Sequence, residues 1–210
     1  MILKEAIAYV GGFSSPSKMP CYGYSIPAKY CKTGNKLRNV AGSVCSKCYC
    51  RKGRYVFPNV QNALERRYAT LNKPLWVESM VMAINGMEKS GYFRWHDSGD
   101  IQSIQHLENI IDVCKGTPKV IHWLPSKEYS LIGNFLRTGE VFPDNLTVRL
   151  SALMLDDNGP VTFAKKYGLV VAAASQDGKF NCMAPLQEGK CVDCRKCWEK
   201  TCFQVTYKKH

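Results

Sequence analysis

Between residues 59 and 91, hydrophobic positions recur every three or four residues, which is the spacing of one face of an α-helix. Val60 and Leu64 mark that face in a first predicted helix, whereas Arg67 is expected to point away from it. Pro74, a residue favoured in the first turn of a helix, starts a second predicted helix. The pattern therefore predicts two consecutive amphipathic helices.

After these helices, short apolar runs alternate with helical patterns. Strands are predicted at residues 92–96, 119–124, 146–152 and 169–174, and helices after Ser103, at 127–138 and at 160–167. Ser103 is expected to cap the first of these helices, and residues 5–10 could form a further short strand. Repeated βα units with right-handed crossovers predict a parallel sheet. We therefore expect an α/β fold, as a partial barrel or an open parallel sheet, with both faces of the sheet buried.

The length of 210 residues fits a single domain that can bury a core of its own. We divide it into a cysteine-rich loop region at 21–55, an α/β core at 59–175 and a cysteine-rich C-terminal segment at 182–202. The loop region lacks sustained periodicity of either kind, so metal ligation is a plausible way of ordering it.

The C-terminal segment carries the most informative spacing. Cys191, Cys194 and Cys197 are each separated by two residues, as in ferredoxin-type iron–sulfur loops, and Cys182 can supply a fourth ligand. Zinc sites prefer two Cys-x-x-Cys pairs set well apart, so iron is favoured over zinc. Disulfides are not expected, because the chain has 11 cysteines, an odd number, and is larger than the usual disulfide-stapled secreted domain.

Polar residues follow the predicted strands where a working site would lie in such a fold. Ser98, Gly99 and Asp100 come directly after the strand at 92–96 and are predicted to bind a cofactor or ligand. Gly99 would allow close backbone approach or a positive φ, and Asp100 would offer a carboxylate. The alternative is that Asp100 only caps the helix near Ser103.

The formal net charge of +12 suggests an anionic partner, with nucleic acid as the first candidate. Metal-bound thiolates are themselves anions, however, and they would cancel much of this charge. The basic residues are also scattered along the chain, which weakens the case for nucleic acid. No apolar run is long enough to span a membrane and no signal peptide is evident, so we expect a cytoplasmic protein without a membrane partner.

Several short segments carry a resemblance to a known family. They are Ile26 to Ala28, Cys31 to Gly34, Gly42 to Tyr49, Lys52 with Gly53, His96 to Asp100, and the C-terminal cysteines. Together they resemble the bacteriophage family called gene product eighty-eight, which implies a phage-encoded metalloprotein in the host cytoplasm. With this pattern in their favour, Cys31, Cys45 and Cys48 become the first N-terminal metal ligands.

The remaining cysteines and histidines are assigned other roles. Cys21, Cys50 and Cys202 are weaker ligand candidates, and Cys114 is expected to be a small buried hydrophobe on a helix. His96 and His122 are expected to be hydrogen-bonded core histidines.

A looser resemblance is to radical S-adenosylmethionine enzymes, whose partial barrels hold a cluster by three cysteines. Ser98, Gly99 and Asp100 resemble the turn that binds the methionyl amine in those enzymes, whereas Cys31 and Cys45 are farther apart than their pattern requires. This resemblance implies S-adenosylmethionine as a second cofactor.

The predicted function is that of a phage-type iron–sulfur protein with [4Fe–4S]-type clusters. The ligands form one set of four and one of three with an open iron, or converge on a single larger centre: Cys31, Cys45, Cys48, Cys182, Cys191, Cys194 and Cys197. An open iron favours a radical S-adenosylmethionine-like enzyme, with a small-molecule ligand or an electron donor as partner. The alternatives are a zinc module that binds nucleic acid and a non-catalytic electron carrier with closed clusters.

Overall fold

A computed structural model describes residues 1–209, and only His210, the last residue of the predicted single domain, lies outside that description. Its centre is a six-stranded sheet in which every neighbouring pair is parallel and strand order follows chain order. The strands are β1 (Gly23–Tyr24), β2 (Tyr92–Trp95), β3 (Ile121–Ser126), β4 (Leu146–Ser151), β5 (Val170–Ser175) and β6 (Gln204–Lys208). The predicted α/β class with an open parallel sheet is confirmed.

Seven helices accompany the sheet in the described part of the chain. They are α1 (Leu3–Tyr9), α2 (Lys32–Leu37), α3 (Pro58–Tyr68), α4 (Trp76–Met87), α5 (Ile104–Gly116), α6 (Tyr129–Arg137) and α7 (Val161–Lys166). Ser103 caps α5 as predicted, because its hydroxyl accepts a 3.0 Å hydrogen bond from the His106 amide. Among residues 1–209, no helix has the length and apolar character needed to cross a membrane.

One face of the sheet carries the main hydrophobic core. Side chains such as Phe93 and Trp95 of β2 and Leu124 of β3 pack there with Trp76 of α4 and Ile110 of α5. Crossovers of one hand between strands in sequential order place successive helices on the same side of a sheet. We refer to this side as the helix-covered face.

The prediction that crossover helices bury both faces of the sheet does not hold for the opposite face. The register aligns Arg94 with Trp123 and Trp123 with Thr147, so these residues share that face. Trp123 packs in a second hydrophobic cluster with Trp198 and Cys21. The cover on this side, which we call the cysteine-covered face, thus comes from the segment between β5 and β6.

The start of the chain corrects one prediction. Residues 5–10, predicted as a possible strand, lie mostly in helix α1. Ala6 and Val10, four residues apart, are both fully buried, which is helical rather than strand spacing. Leu3 packs so closely on Gly86 of α4 that a Cβ there would lie 2.6 Å from it. Contact with a neighbouring helix therefore decides the conformation of a segment too short to show a clear period.

Other predicted boundaries shift by only a few residues. β3 extends through Pro125 and Ser126, beyond the predicted end at residue 124, because both continue the pairing with β4. β1 and β6 were not among the predicted strands, since each is short and flanked by loops. The prediction that Arg67 points away from the buried face of its helix is wrong. It is buried, and its Nε donates a 2.9 Å hydrogen bond to the carbonyl of Gly12.

Candidate metal centres

The N-terminal thiols gather where the strands end. Six residues separate Cys31 from β1, and Cys31 directly precedes helix α2, whose Gly34 faces two sulfurs. A Cβ on Gly34 would lie 3.6 Å from the Cys45 Sγ and 3.8 Å from the Cys31 Sγ. Because glycine lacks that Cβ, the two thiols can share the space above the helix. We call Cys31, Cys45 and Cys48 the N-terminal thiol group.

Hydrogen bonds tie this loop to the carboxyl edge of the sheet. The amide and hydroxyl of Thr33 donate to the Glu128 carboxylate after β3, at 2.8 and 2.9 Å. The Val44 amide donates to the Leu153 carbonyl beyond β4, at 2.9 Å. The N-terminal group therefore lies at the edge where parallel α/β sheets place their ligand sites.

The charge states of these thiols depend on one another. Burial, together with the negative charges of Asp100, Cys48 and Cys45, raises the pKa of the Cys31 thiol to about 12. Hydrogen bonding from Cys50 lowers the pKa of the Cys48 thiol to about 6, which favours its thiolate form. A thiolate is the form of cysteine that binds metals.

The C-terminal thiols lie in the segment that crosses the cysteine-covered face. The Cys182 amide donates a 3.1 Å hydrogen bond to the carbonyl of Thr206 in β6. The Cys194 amide donates a 2.8 Å hydrogen bond to the Cys191 carbonyl, which forms a turn. The Cys197 Sγ lies 3.2 Å from the Tyr207 hydroxyl. We call Cys182, Cys191, Cys194 and Cys197 the C-terminal thiol group. Burial first, and then the charges of other members of the group, raise the pKa of the Cys182, Cys191 and Cys197 thiols.

Arg149 of β4 anchors that segment to the sheet. Its side chain is fully buried and has no carboxylate partner among residues 1–209. All of its guanidinium nitrogens donate hydrogen bonds at 2.8 to 3.4 Å to backbone carbonyls, those of Val171, Lys196, Cys197, Glu199 and Cys202. The sequence reasoning missed this residue, although an arginine inside an apolar strand was a visible signal.

An aromatic cluster supports the same segment. Trp198 packs edge-on against Trp123, with ring centroids 5.2 Å apart, and against Tyr92 at 5.5 Å. Its indole donates a 3.0 Å hydrogen bond to the carbonyl of Phe93, and its own carbonyl accepts one of 2.6 Å from Thr147. These contacts fix Trp198 against the sheet, and with it the adjacent Cys197.

Arg94 of β2 lies on the cysteine-covered face, near the C-terminal thiol group. Its guanidinium carbon is 4.4 Å from the centroid of the Trp123 ring. Burial opposes its charge, but nearby ionisable groups, Tyr49 first, raise the pKa of Arg94, so it remains a cation. Burial raises the pKa of the Cys191 and Cys197 thiols, and the Arg94 cation lowers it. A half-buried positive charge therefore lies near sites where thiolates would form.

The predicted ligand turn has protein partners in this structure. Asp100 accepts hydrogen bonds from the amides of Ile101 and Lys127, at 2.8 and 2.9 Å, and from the Ser126 hydroxyl at 2.7 Å. Burial raises the pKa of Asp100 to about 6. Its carboxylate thus joins the end of β2 to the end of β3, rather than capping α5.

The other two residues of the turn are also closely packed. Gly99 has the positive φ that was predicted, at 85°, and a Cβ there would lie 2.2 Å from a side-chain carbon of Ile26. The Ser98 carbonyl accepts a 3.1 Å hydrogen bond from the Ile26 amide. The close backbone approach at Gly99 is therefore to the loop after β1.

The remaining cysteines have distinct surroundings. Cys114 is fully buried in the core of the helix-covered face, as predicted. The thiol of Cys50 donates to the Asp97 carbonyl at 3.2 Å, and that of Cys202 to the Gln204 carbonyl at 3.7 Å. Burial raises the pKa of the Cys21 thiol to about 12, an effect to which Glu88 and Cys191 add.

The two predicted core histidines are both buried. His122 makes the expected hydrogen bond, with its Nε2 2.8 Å from the Thr117 hydroxyl. The predicted hydrogen bond of His96 is wrong: this residue has a positive φ of 51°, and neither ring nitrogen has a hydrogen-bond partner within the described chain. Burial lowers the pKa of both, that of His122 to about 3.

The donor chemistry fits a thiophilic metal, although the side chains do not form a closed coordination shell. All 11 cysteines are free, and they are divided between two neighbourhoods and a few separate positions. Within residues 1–209, no three Cys, His, Asp or Glu side chains converge closely enough to count as a metal site. Metal binding would therefore have to draw the sulfurs of a group together.

Comparison with known proteins identifies one family. A family model described as gene product 88 matches residues 3–200. No curated protein and no solved structure matches the chain.

Proposed function

The chain belongs to the bacteriophage gene product 88 family, and we propose that it is an iron–sulfur protein whose ligands come from the two thiol groups. One observation carries this proposal: cysteines that are not sequence neighbours lie together in the fold. Cys31 lies with Cys45 at the sheet edge, and Cys182 lies near Cys194 on the cysteine-covered face. A reduced chain that gathers thiols without joining them in disulfides is suited to binding a soft metal.

The C-terminal group favours iron over zinc. Three cysteines in two consecutive steps of the same spacing are typical of iron–sulfur loops, and Cys182 approaches them from β5. Buried Arg149 and half-buried Arg94 place positive charge beside this segment. An anionic cluster with thiolate ligands would be stabilised by such charge, which also accounts for part of the net charge of +12.

The N-terminal thiol group is the proposed site of a cluster with an open iron. Three thiolates would leave one iron of a four-iron cluster without a protein ligand. An open iron of this kind can bind a small molecule, and S-adenosylmethionine is the candidate that we propose. Asp100 supports this placement, because its carboxylate is close enough to Cys31 to raise the pKa of that thiol.

The test is anaerobic purification of the full chain, with iron, zinc and inorganic sulfide counted per polypeptide. The proposal expects a brown protein that contains iron and sulfide. Electron paramagnetic resonance of the reduced protein, with and without S-adenosylmethionine, then tests for an open iron. Stoichiometric zinc in a colourless protein would overturn the proposal.

Nucleic-acid binding distinguishes the proposed iron–sulfur protein from the main alternative, a zinc module that binds nucleic acid. A zinc module should bind nucleic acid tightly and selectively at physiological salt, whereas the iron–sulfur protein should show weak binding that fades as salt rises. A binding titration at two salt concentrations distinguishes these outcomes.

A further inference from the structure

Cys21 lies 161 positions or more before the cysteines of the C-terminal group in the chain, yet it occupies the same side of the sheet. It precedes β1, is 7% exposed and packs in one cluster with Trp123 and Trp198. Cys197 packs against this cluster as well. The two cysteines are thus brought to a common aromatic surface by the sheet.

Backbone contacts connect the loop that carries Cys21 to the C-terminal group. The Cys191 amide donates a 2.9 Å hydrogen bond to the carbonyl of Lys18, three residues before Cys21. Gly189 lies over the same lysine, where a Cβ would be 3.4 Å from its side chain. The loop before β1 and the turn before Cys191 are therefore packed together.

Cys21 and Cys191 share two charged neighbours. Burial raises the pKa of both thiols, the cations of Arg94 and Arg195 lower it, and the charge of Cys191 also raises the pKa of Cys21. Charge effects fall with distance, so these groups lie close together. A metal bound by Cys191 would therefore form near the Cys21 sulfur.

The other unassigned cysteines differ from Cys21 in one respect. The thiols of Cys50 and Cys202 donate to backbone carbonyls, and Cys114 is buried in the core of the helix-covered face. The Cys21 thiol donates no hydrogen bond within residues 1–209, although it is buried beside other thiols. Its sulfur packs in the Trp123–Trp198 cluster, on the same face of the sheet as the C-terminal thiol group.

From these contacts we infer that Cys21 is a thiolate ligand of the C-terminal metal centre, which it joins from the opposite end of the chain. This inference rests on the proposed function, since it assumes that the C-terminal thiol group binds metal. Binding would tie the loop before β1 to the segment before β6, and so connect the two edges of the sheet.

The test compares metal content in anaerobically purified full-length variants. Cys21→Ala should lose iron and sulfide to the same extent as Cys194→Ala. Cys114→Ala, which removes another buried thiol from the opposite face, should keep the parent content. Zinc is counted as well, so that the assignment of Cys21 as a ligand is tested independently of the identity of the metal.

A second variant guards against simple misfolding. Cys21→Ser keeps the side-chain size and offers an oxygen ligand, so it should alter the electron paramagnetic resonance spectrum of any cluster that remains. Far-UV circular dichroism reports whether each variant is folded.

The outcomes test the role of Cys21 separately from the proposal that the C-terminal thiol group binds metal. Suppose that the parent binds metal and that both Cys21→Ala and Cys21→Ser match it in metal content and spectrum. That result would overturn the role of Cys21 and leave the proposed function standing. A parent that contains neither iron nor zinc would overturn both. Loss of metal in Cys21→Ala, beside an unchanged Cys114→Ala, is the supporting result.

Discussion

The two faces of the parallel sheet are buried by different means. On the helix-covered face, apolar side chains such as Leu124 and Val148 pack against amphipathic helices, and the histidines there are neutral. On the cysteine-covered face, Arg94 and Arg149 lie under a segment whose only regular element before β6 is a short 3-10 turn, Ala184–Leu186.

This difference shows which forces order each side. Burial of apolar area, worth about 25 cal/mol per Å², is enough to hold helices on a sheet without a cofactor. The segment over the other face is held instead by hydrogen bonds to Arg149, by the Trp198 cluster and, in our proposal, by metal ligation. The two faces should therefore respond to different perturbations.

The largest expected effect follows from removing a ligand on the cysteine-covered face. Cys194→Ala should lose metal and loosen residues 182–202, because binding energy on the order of 10 kcal/mol at a structural metal site is also folding energy. Iron counting and hydrogen exchange of that segment measure both effects.

Its control lies on the helix-covered face. Cys114→Ala should leave the metal content unchanged and cost about 1 kcal/mol of unfolding free energy, as a small cavity does. Equal iron loss in the two variants would contradict the division between the faces.

The next effect concerns the buried arginine. Arg149→Met should lower the free energy of unfolding by about 3–5 kcal/mol, because several backbone carbonyls would lose their donors while remaining buried. Urea denaturation measures this loss. Arg137→Met, at an exposed position of α6, should change stability by less than about 0.5 kcal/mol. If the two variants are equally stable, Arg149 does not anchor the segment.

Acid should destabilise the helix-covered face through its histidines. Burial lowers the pKa of His106 and of His122 to about 3 in the folded protein, whereas an unfolded histidine titrates near 6.5. The unfolded chain therefore binds more protons below pH 6.5, and stability is lost as the pH falls toward 3. Each histidine contributes a loss of about 3 kcal/mol at pH 4.

The measurement is urea denaturation at several pH values between 8 and 4. His122→Gln removes one titrating ring, so its stability should fall less steeply with acid than that of the parent. An unchanged slope would mean that His122 does not titrate on unfolding in this range.

The smallest effect is expected at the sheet edge where the faces meet. Asp100→Asn should cost about 1–2 kcal/mol, because asparagine keeps only one side-chain oxygen. With that oxygen at the Oδ1 position, it can still accept the hydrogen bonds from the Ile101 amide and the Ser126 hydroxyl, but the amide nitrogen at the Oδ2 position cannot accept the one that the Lys127 amide donates. Asp112→Asn, at an exposed position of α5, is the matched control.

The same variant tests the ligand role of this turn. Asp100→Asn should keep the iron of the parent but lose the spectral response to S-adenosylmethionine. A variant that still responds like the parent would leave Asp100 with only its observed role, joining the ends of β2 and β3.

Periodicity alone was sufficient for the helix-covered face. The helices α3 to α7 and the strands β2 to β5 were predicted within a few residues, because burial on one side imposes a regular spacing on apolar positions. Local chemistry was also readable, as in the Ser103 cap and the positive φ of Gly99. The C-terminal candidate thiols could be named from their spacing and the N-terminal ones from the resemblance to the family, which the match of the family model supports.

Only the tertiary structure determined which distant residues are neighbours. Residues 5–10 became helical through contact with α4, and β1 became a strand by pairing with β2. The proximity of Cys21 to Cys191 and the role of Arg149 could not be predicted for the same physical reason. Parallel pairing joins residues separated by long crossovers, and a local spacing records that a position is buried without recording which charge, carbonyl or sulfur lies against it.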